Sequence, residues 1–67
     1  SMIKATRLNG EIIYLNYLQI EYIELIPETK ITMMNGDYYL VKDKVESIME
    51  QAAKFLYGCA VFSDKTK

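Results

Sequence analysis

The 67-residue sequence has no histidine, no tryptophan and a single cysteine, Cys59. A disulfide bond within one chain is therefore excluded, and a zinc site of the usual kind would lack both an imidazole and a second thiolate. An unpaired cysteine is typical of a reducing compartment, so we expect a cytoplasmic protein. Cys59 has no basic neighbour in the sequence, which favours a buried structural thiol over a reactive one. We expect neither a metal nor a cofactor.

The sequence also lacks a charge excess and a long apolar run. Eight basic and nine acidic residues give a net charge of −1, whereas small nucleic-acid-binding domains usually carry a basic face. No apolar run approaches the roughly 20 residues of a membrane span, and no signal peptide is recognisable, so we expect a chain that does not cross a membrane. Ser1 before Met2 is interpreted as a remnant of expression, with Met2 as the native start.

The chain is short enough to limit its own stability. A domain of this size buries only about 60% of the surface that its unfolded chain exposes. Such domains often depend on a disulfide, a metal or a partner chain. Since the first two are disfavoured here, the six tyrosines and four methionines are available for a partner surface, and we expect a homo-oligomer. We predict one domain over residues 2–62 and a frayed tail over 63–67.

The segment 19–26 has the strongest strand composition and is expected to be the centre of an antiparallel sheet. Other strand-like segments cover 2–8, 11–15, 30–34 and 37–42. The pairs Asn9-Gly10 and Asn35-Gly36 predict type I′ hairpin turns, in which both residues have positive φ. The two turn regions align at an offset of 26 residues (35 minus 9), and we attribute this likeness to shared turn chemistry rather than to a pseudo-symmetric surface.

The apolar residues of the central strand do not alternate strictly, because Ile20 falls on the face opposite Ile23. Either both faces are partly covered, or a bulge near Glu21 resets the register. We favour partial cover of both faces.

The period changes after residue 43, where apolar residues recur every three or four positions and predict an amphipathic helix. The apolar stripe consists of Val45, Ile48, Met49, Ala52, Phe55 and Leu56. Asp43 is the expected N-cap with Glu46 completing a capping-box-like pair, and Gly58 is the expected stop. The predicted fold class is α+β: a five-stranded, bent antiparallel meander with one C-terminal amphipathic helix.

Two sets of side chains could carry chemistry. Glu21, Glu24 and Glu28 could perform acid–base catalysis or bind a hard cation, but no nucleophile or glycine-rich cradle lies near them, so we interpret them as solvated and expect no enzyme. The tyrosines could stack on single-stranded bases, but that mode needs a positively charged groove. Core filling and protein contacts are the favoured roles for these rings.

Several short segments, in the same order and at the same spacing, resemble the FlbD family of small bacterial flagellar proteins, called SwrD in some Gram-positive bacteria. The resemblance covers Met2 to about Gln51 and rests on residues 2–4, 6–10, 15–16, 20–21, 23–24, 27, 29, 31–32, 35–36, 41–43, 45–46 and 48. Ala5 departs from the larger aliphatic residue that the family tends to have, and residues 52–67 lack its basic, arginine-rich finish.

The resemblance implies a non-enzymatic accessory protein of bacterial flagellar motility, in the cytoplasm and at the flagellar base on the inner face of the membrane. Relatives are linked to swarming and flagellar power through support of the stator, so motor or stator proteins are the expected partners, not a small molecule. The expected contact residues are Arg7, Tyr22, Tyr38 and Phe55. The alternative is a small nucleic-acid-binding or transcription-associated β-rich domain, which would gather its cations on one face: Lys4, Arg7, Lys30, Lys42 and Lys44.

Overall fold

The computed structural model describes residues 1–58 and contains five strands, one 3₁₀ turn and one α-helix. The strands are β1 (Met2–Thr6), β2 (Ile12–Asn16), β3 (Ile20–Leu25), β4 (Thr29–Met33) and β5 (Tyr38–Val41). The 3₁₀ turn spans Tyr17–Gln19 and the helix, α1, spans Val45–Tyr57. The α+β class and the order of elements are confirmed. The apolar segment 59–62 and the tail 63–67 lie outside the described residues, so the predicted domain boundary stays a prediction.

The strands form two antiparallel sheets, β1–β2 and β3–β4–β5, so the expectation of one continuous meander is wrong. The physical reason is the 3₁₀ turn, which Asn16 caps by accepting a hydrogen bond from the Leu18 amide at 3.1 Å. This turn separates β2 from β3, and the two strands do not pair. The sheets meet instead at an isolated antiparallel bridge between Arg7 and Val41.

The edge of β1 that faces away from β2 is capped by groups from distant parts of the chain. The side-chain amide of Gln51 accepts from the Lys4 amide at 2.8 Å and donates to the Lys4 carbonyl at 2.9 Å. Thr6 donates its N–H to Asp43 Oδ1 at 2.6 Å, and its carbonyl accepts from the Lys42 amide at 2.8 Å. The backbone groups that a free strand edge would leave to water are therefore paired within the protein.

Asp43 is not the N-cap of α1, contrary to the prediction. The N-cap position is Lys44, which makes no side-chain capping hydrogen bond. The Asp43 carboxylate is used by Thr6 instead, and the Asp43 carbonyl accepts a hydrogen bond from Thr29 Oγ1 at 2.7 Å. The predicted helix stop is confirmed, since Gly58 adopts φ 75° and donates its N–H to the Lys54 carbonyl at 2.8 Å.

The two Asn-Gly turns have the same geometry, but it is not type I′. In the described chain only glycines have positive φ, with Gly10 at 93° and Gly36 at 95°, so neither asparagine meets the type I′ requirement. Arg7 donates its N–H to the Glu11 carbonyl at 2.7 Å and accepts from the Gly10 amide at 2.8 Å. This pattern is a three-residue loop in which a type I turn is followed by a left-handed glycine.

A bulge in β3 explains the irregular alternation of the central strand. The register with β4 shifts between Ile20 and Tyr22, which leaves Glu21 as the extra residue. Ile20 and Ile23 consequently both pack against the core, while Tyr22 is half exposed. The bulge is therefore the correct alternative, and the partial cover that we favoured is not needed to explain the pattern.

The core lies between the two sheets and α1, which packs on β1. Its fully buried large side chains are Ile3, Ile31, Val41 and Ile48. Ala5 is completely buried, so the departure from the resembled family lies inside the core. The buried part of the helical stripe is narrower than expected, because the helix buries Ile48, Ala52 and Ala53. Three residues of the expected stripe, Met49, Phe55 and Leu56, are exposed.

Replacing Asp43 by alanine is expected to lower the free energy of unfolding by about 1–3 kcal/mol, since the Thr6 N–H loses its acceptor in a part-buried position. Urea denaturation followed by circular dichroism measures this change. Asp43→Asn is the matched control, because it keeps a side-chain oxygen and should lose less. Equal stability of Asp43→Ala and the parent chain would show that this contact does not hold β1.

Candidate functional site

The face of the β3–β4–β5 sheet that points away from the core carries two rows of paired side chains. The register places Tyr22 and Tyr38 on either side of Thr32. In the next row, Glu24 and Leu40 lie on either side of Lys30. We call these six residues the outer face. Because side chains alternate along a strand, the bulge at Glu21 is what brings Tyr22 to this face while Ile20 and Ile23 stay on the core side.

The tyrosine row combines exposed rings with a buried hydroxyl. Tyr22 is 50% exposed and Tyr38 is 59% exposed, whereas Thr32 between them is only 8% exposed. Thr32 Oγ1 is buried and has no hydrogen-bond partner in the described part of the chain. The row therefore presents two large amphipathic rings on either side of a buried hydroxyl whose hydrogen-bonding capacity is unused.

The second row carries charges that are paired on the face itself. Lys30 Nζ lies 4.0 Å from Glu24 Oε1 and 4.5 Å from the centre of the Tyr38 ring. A partly exposed ion pair of this kind contributes at most about 1 kcal/mol to stability. Its main effect is to orient Lys30 across the sheet, so that the rim of the tyrosine row is locally neutral.

A shallow hollow of about 250 Å³ adjoins the outer face where the first hairpin turn meets β5. It is lined by Arg7, Leu8, Asn9, Tyr38, Tyr39 and Leu40. Arg7 Nη1 lies 3.1 Å from Glu11 Oε1, and the guanidinium carbon is 5.8 Å from the centre of the Tyr39 ring. Two of the residues expected to contact a partner, Arg7 and Tyr38, therefore line the same hollow, and the third, Tyr22, shares the outer face with Tyr38.

The fourth expected contact residue, Phe55, is not part of this group. It is 63% exposed and lies near the C-terminal end of α1. Phe55 belongs neither to the outer face nor to the lining of the hollow. Its exposure next to Leu56 and Tyr57, which are also exposed, leaves its contact role as a prediction.

Sequence reasoning missed an apolar groove between β3 and the start of α1. This groove of about 430 Å³ is lined by Tyr17, Leu18, Ile20, Glu21, Tyr22, Ile23, Val45 and Met49. Val45 and Met49 are four residues apart and share one side of the helix. The stripe predicted a buried position for Met49, but Met49 lines this open groove and is 42% exposed.

The acidic residues that were weighed as a catalytic or metal cluster have separate surroundings. Glu24 faces Lys30 on the outer face, Glu21 lines the groove, and Glu28 is exposed in the β3–β4 connection. Within residues 1–58 no three such groups converge as metal ligands would. No helix in residues 1–58 is both long enough and apolar enough to cross a membrane.

The cations that the nucleic-acid alternative requires are partly engaged elsewhere. Arg7 is paired with Glu11, and Lys30 is paired with Glu24. A basic face for phosphates needs cations whose charge is not offset by nearby carboxylates. These two pairs weaken the alternative.

The sequence model of the FlbD family, described as flagellar and swarming motility proteins, matches residues 2–59. The match includes the segments that carry the resemblance and continues through α1. No curated protein and no solved structure matches the chain.

Two buried threonines of β4 provide a matched test of this surface. Thr32→Val removes a buried hydroxyl that has no partner, so we expect stability to be unchanged or raised by about 1–2 kcal/mol. Thr29→Val, by contrast, removes the donor to the Asp43 carbonyl and should destabilise the chain. Urea titration of both variants measures the difference, and a loss of stability in Thr32→Val would show that its hydroxyl is satisfied.

Proposed function

Because this chain belongs to the FlbD family of flagellar and swarming motility proteins, we propose that it serves motility as a non-enzymatic accessory that binds another protein. The proposed partner is a component of the flagellar motor that supports stator function. The proposed location is the cytoplasm, at the flagellar base on the inner face of the membrane. The binding surface is the outer face, extended by the hollow beside Arg7.

The observation that carries this proposal is the pair of exposed tyrosines across β3, β4 and β5. Tyr22, directly after the bulge of β3, and Tyr38 on β5 both sit on strands that pair with β4, so a partner would meet a preformed surface. Tyrosine is enriched at protein interfaces because it contributes a large apolar area and a hydroxyl that can hydrogen-bond at the rim. An exposed pair on a rigid sheet suits recognition of a protein surface.

The charges around the tyrosines support the same role. Lys30 and Glu24 lie beside the row and are within reach of each other, so a partner can exchange this weak contact for its own ion pairs at little cost. Arg7 at the neighbouring hollow is held by Glu11 and lies near Tyr39, and its partly exposed guanidinium is the charge that we assign to a carboxylate of the partner. Such paired, partly exposed charges supply specificity more than affinity.

The double variant Tyr22→Thr with Tyr38→Thr is expected to impair swarming and to reduce recovery of motor proteins in a crosslinked pull-down. Threonine keeps strand propensity, while truncation of a tyrosine that is a binding hot spot costs about 2 kcal/mol or more of binding free energy. Swarming rate, swimming torque and the pull-down, each at matched protein level, are the measurements.

Tyr57→Thr is the matched control, because Tyr57 is 70% exposed on α1, away from the outer face. It should swarm like the parent. Normal motility in the double variant, or an equal defect in the control, would contradict the assignment of binding to the outer face.

A further inference from the structure

The edge of β2 that faces away from β1 has no partner in the described residues. The bonds from the Arg7 amide to Glu11 and from the Tyr17 amide to Ser1 fix the ladder at both ends of the first hairpin. Because bonded and non-bonded pairs alternate in an antiparallel ladder, Ile13 and Leu15 bond to β1. Ile12 and Tyr14 therefore direct their N–H and C=O groups outward, and no hydrogen bond outside the ladder uses them.

This edge lacks the protection that the protein gives its other strand edges. The outer edge of β1 is capped by Gln51 and Asp43. The free edge of β3 is interrupted by a bulge at Glu21 and carries Glu24. In contrast, the stretch 12–19 has no charged residue, no proline and no glycine. Natural edge strands are usually blunted by charges, prolines or bulges, so an edge without any of them indicates a surface that is paired.

The side chains beside this edge are also apolar and exposed. On the solvent side of the hairpin, Ile12 is 53% exposed and Tyr14 is 62% exposed, and Met2 on β1 is 57% exposed. Ile12 and Tyr14, which lie on β2 itself, would lose contact with water if the sheet continued past this strand. At roughly 25 cal/mol per Å² of apolar area removed from water, this burial favours association.

We propose that a second copy of this chain pairs along β2, antiparallel, about a two-fold axis at Tyr14. Tyr14 then lies opposite Tyr14 of the partner subunit, and Ile12 lies opposite Asn16 of the partner subunit. The residues whose N–H and C=O groups point outward form the hydrogen-bonded pairs of the new ladder. The two hairpins become one four-stranded sheet across the dimer, in which Ile13 and Leu15 continue the core side.

The absence of charge along 12–19 favours a second copy of this chain as the partner of β2. An antiparallel two-fold contact places the same segment on both sides, so each residue must tolerate its own neighbours. The neutral stretch 12–19 meets this condition without repulsion. Self-pairing of β3 would bring Glu21 and Glu24 close to their own counterparts, and like charges directly opposite each other are destabilising. The two-fold contact is therefore assigned to β2, which is independent of the outer face.

Tyr14→Pro is the sharpest test. Proline removes an N–H that points away from β1, so the intrachain ladder stays intact while the partner loses a donor. We expect the parent chain to show a concentration-dependent monomer–dimer equilibrium in sedimentation, and the variant to associate at least about tenfold more weakly. Leu25→Pro, at the free edge of β3, is the control and should dimerise like the parent.

Crosslinking locates the contact without relying on proline. In a Cys59→Ser background, Tyr14→Cys should be joined to its counterpart by a short bismaleimide, whereas Leu25→Cys should not. Circular dichroism of each variant verifies that it is folded. A parent chain that sediments as a monomer at every concentration would overturn the proposal, as would undiminished association in folded Tyr14→Pro or crosslinking through residue 25 rather than residue 14.

Discussion

The structure depends on how the outer edge of β1 is satisfied. A two-stranded hairpin is marginal in water, and its free edge exposes backbone groups that must be paired if anything packs over them. The side chain of Gln51 in α1 bonds both the N–H and the C=O of Lys4, as a neighbouring strand would, and the Asp43 carboxylate accepts the Thr6 N–H. These contacts dock the helix beside the hairpin, and the bridge from Arg7 to Val41 joins the hairpin to the second sheet. The two sheets share one core because this edge is closed.

Local signals predicted the elements well. Strand composition located β3, and Gly58 ended the helix with the expected left-handed conformation. The sequence did not predict the hydrogen bonds between residues that are far apart in the chain. Asp43 has the chemistry of an N-cap, but Thr6 captures its carboxylate from a separation of 37 residues. Likewise, the separation into two sheets depends on the 3₁₀ turn after Asn16. Nothing in the sequence distinguishes this turn from an ordinary connection between two paired strands.

The candidate surface was predictable in its residue types but not in its assembly. Tyr22 and Tyr38 were expected to contact a partner, and Arg7 was singled out as a charge available for one. Only the bulge at Glu21 shows that Tyr22 joins Tyr38, because without it the parity of β3 would be different beyond Ile20. The groove beside Met49 was not predictable for a related reason. The apolar stripe identifies the apolar side of the helix, but not how much of that side the sheets cover, and Met49 is exposed between the buried Ile48 and Ala52.

The span of the Lys4–Gln51 contact sets when this fold can form. The two residues are 47 positions apart in a chain of 67. A ribosome delivers the chain from its N-terminus at about 5–20 residues per second, so the first hairpin emerges seconds before the groups that close its edge. Contacts of such high sequence separation also slow folding relative to local ones. During synthesis, the outer edge of β1 therefore stays unpaired, and the nascent hairpin stays prone to association, until the helix has been synthesised.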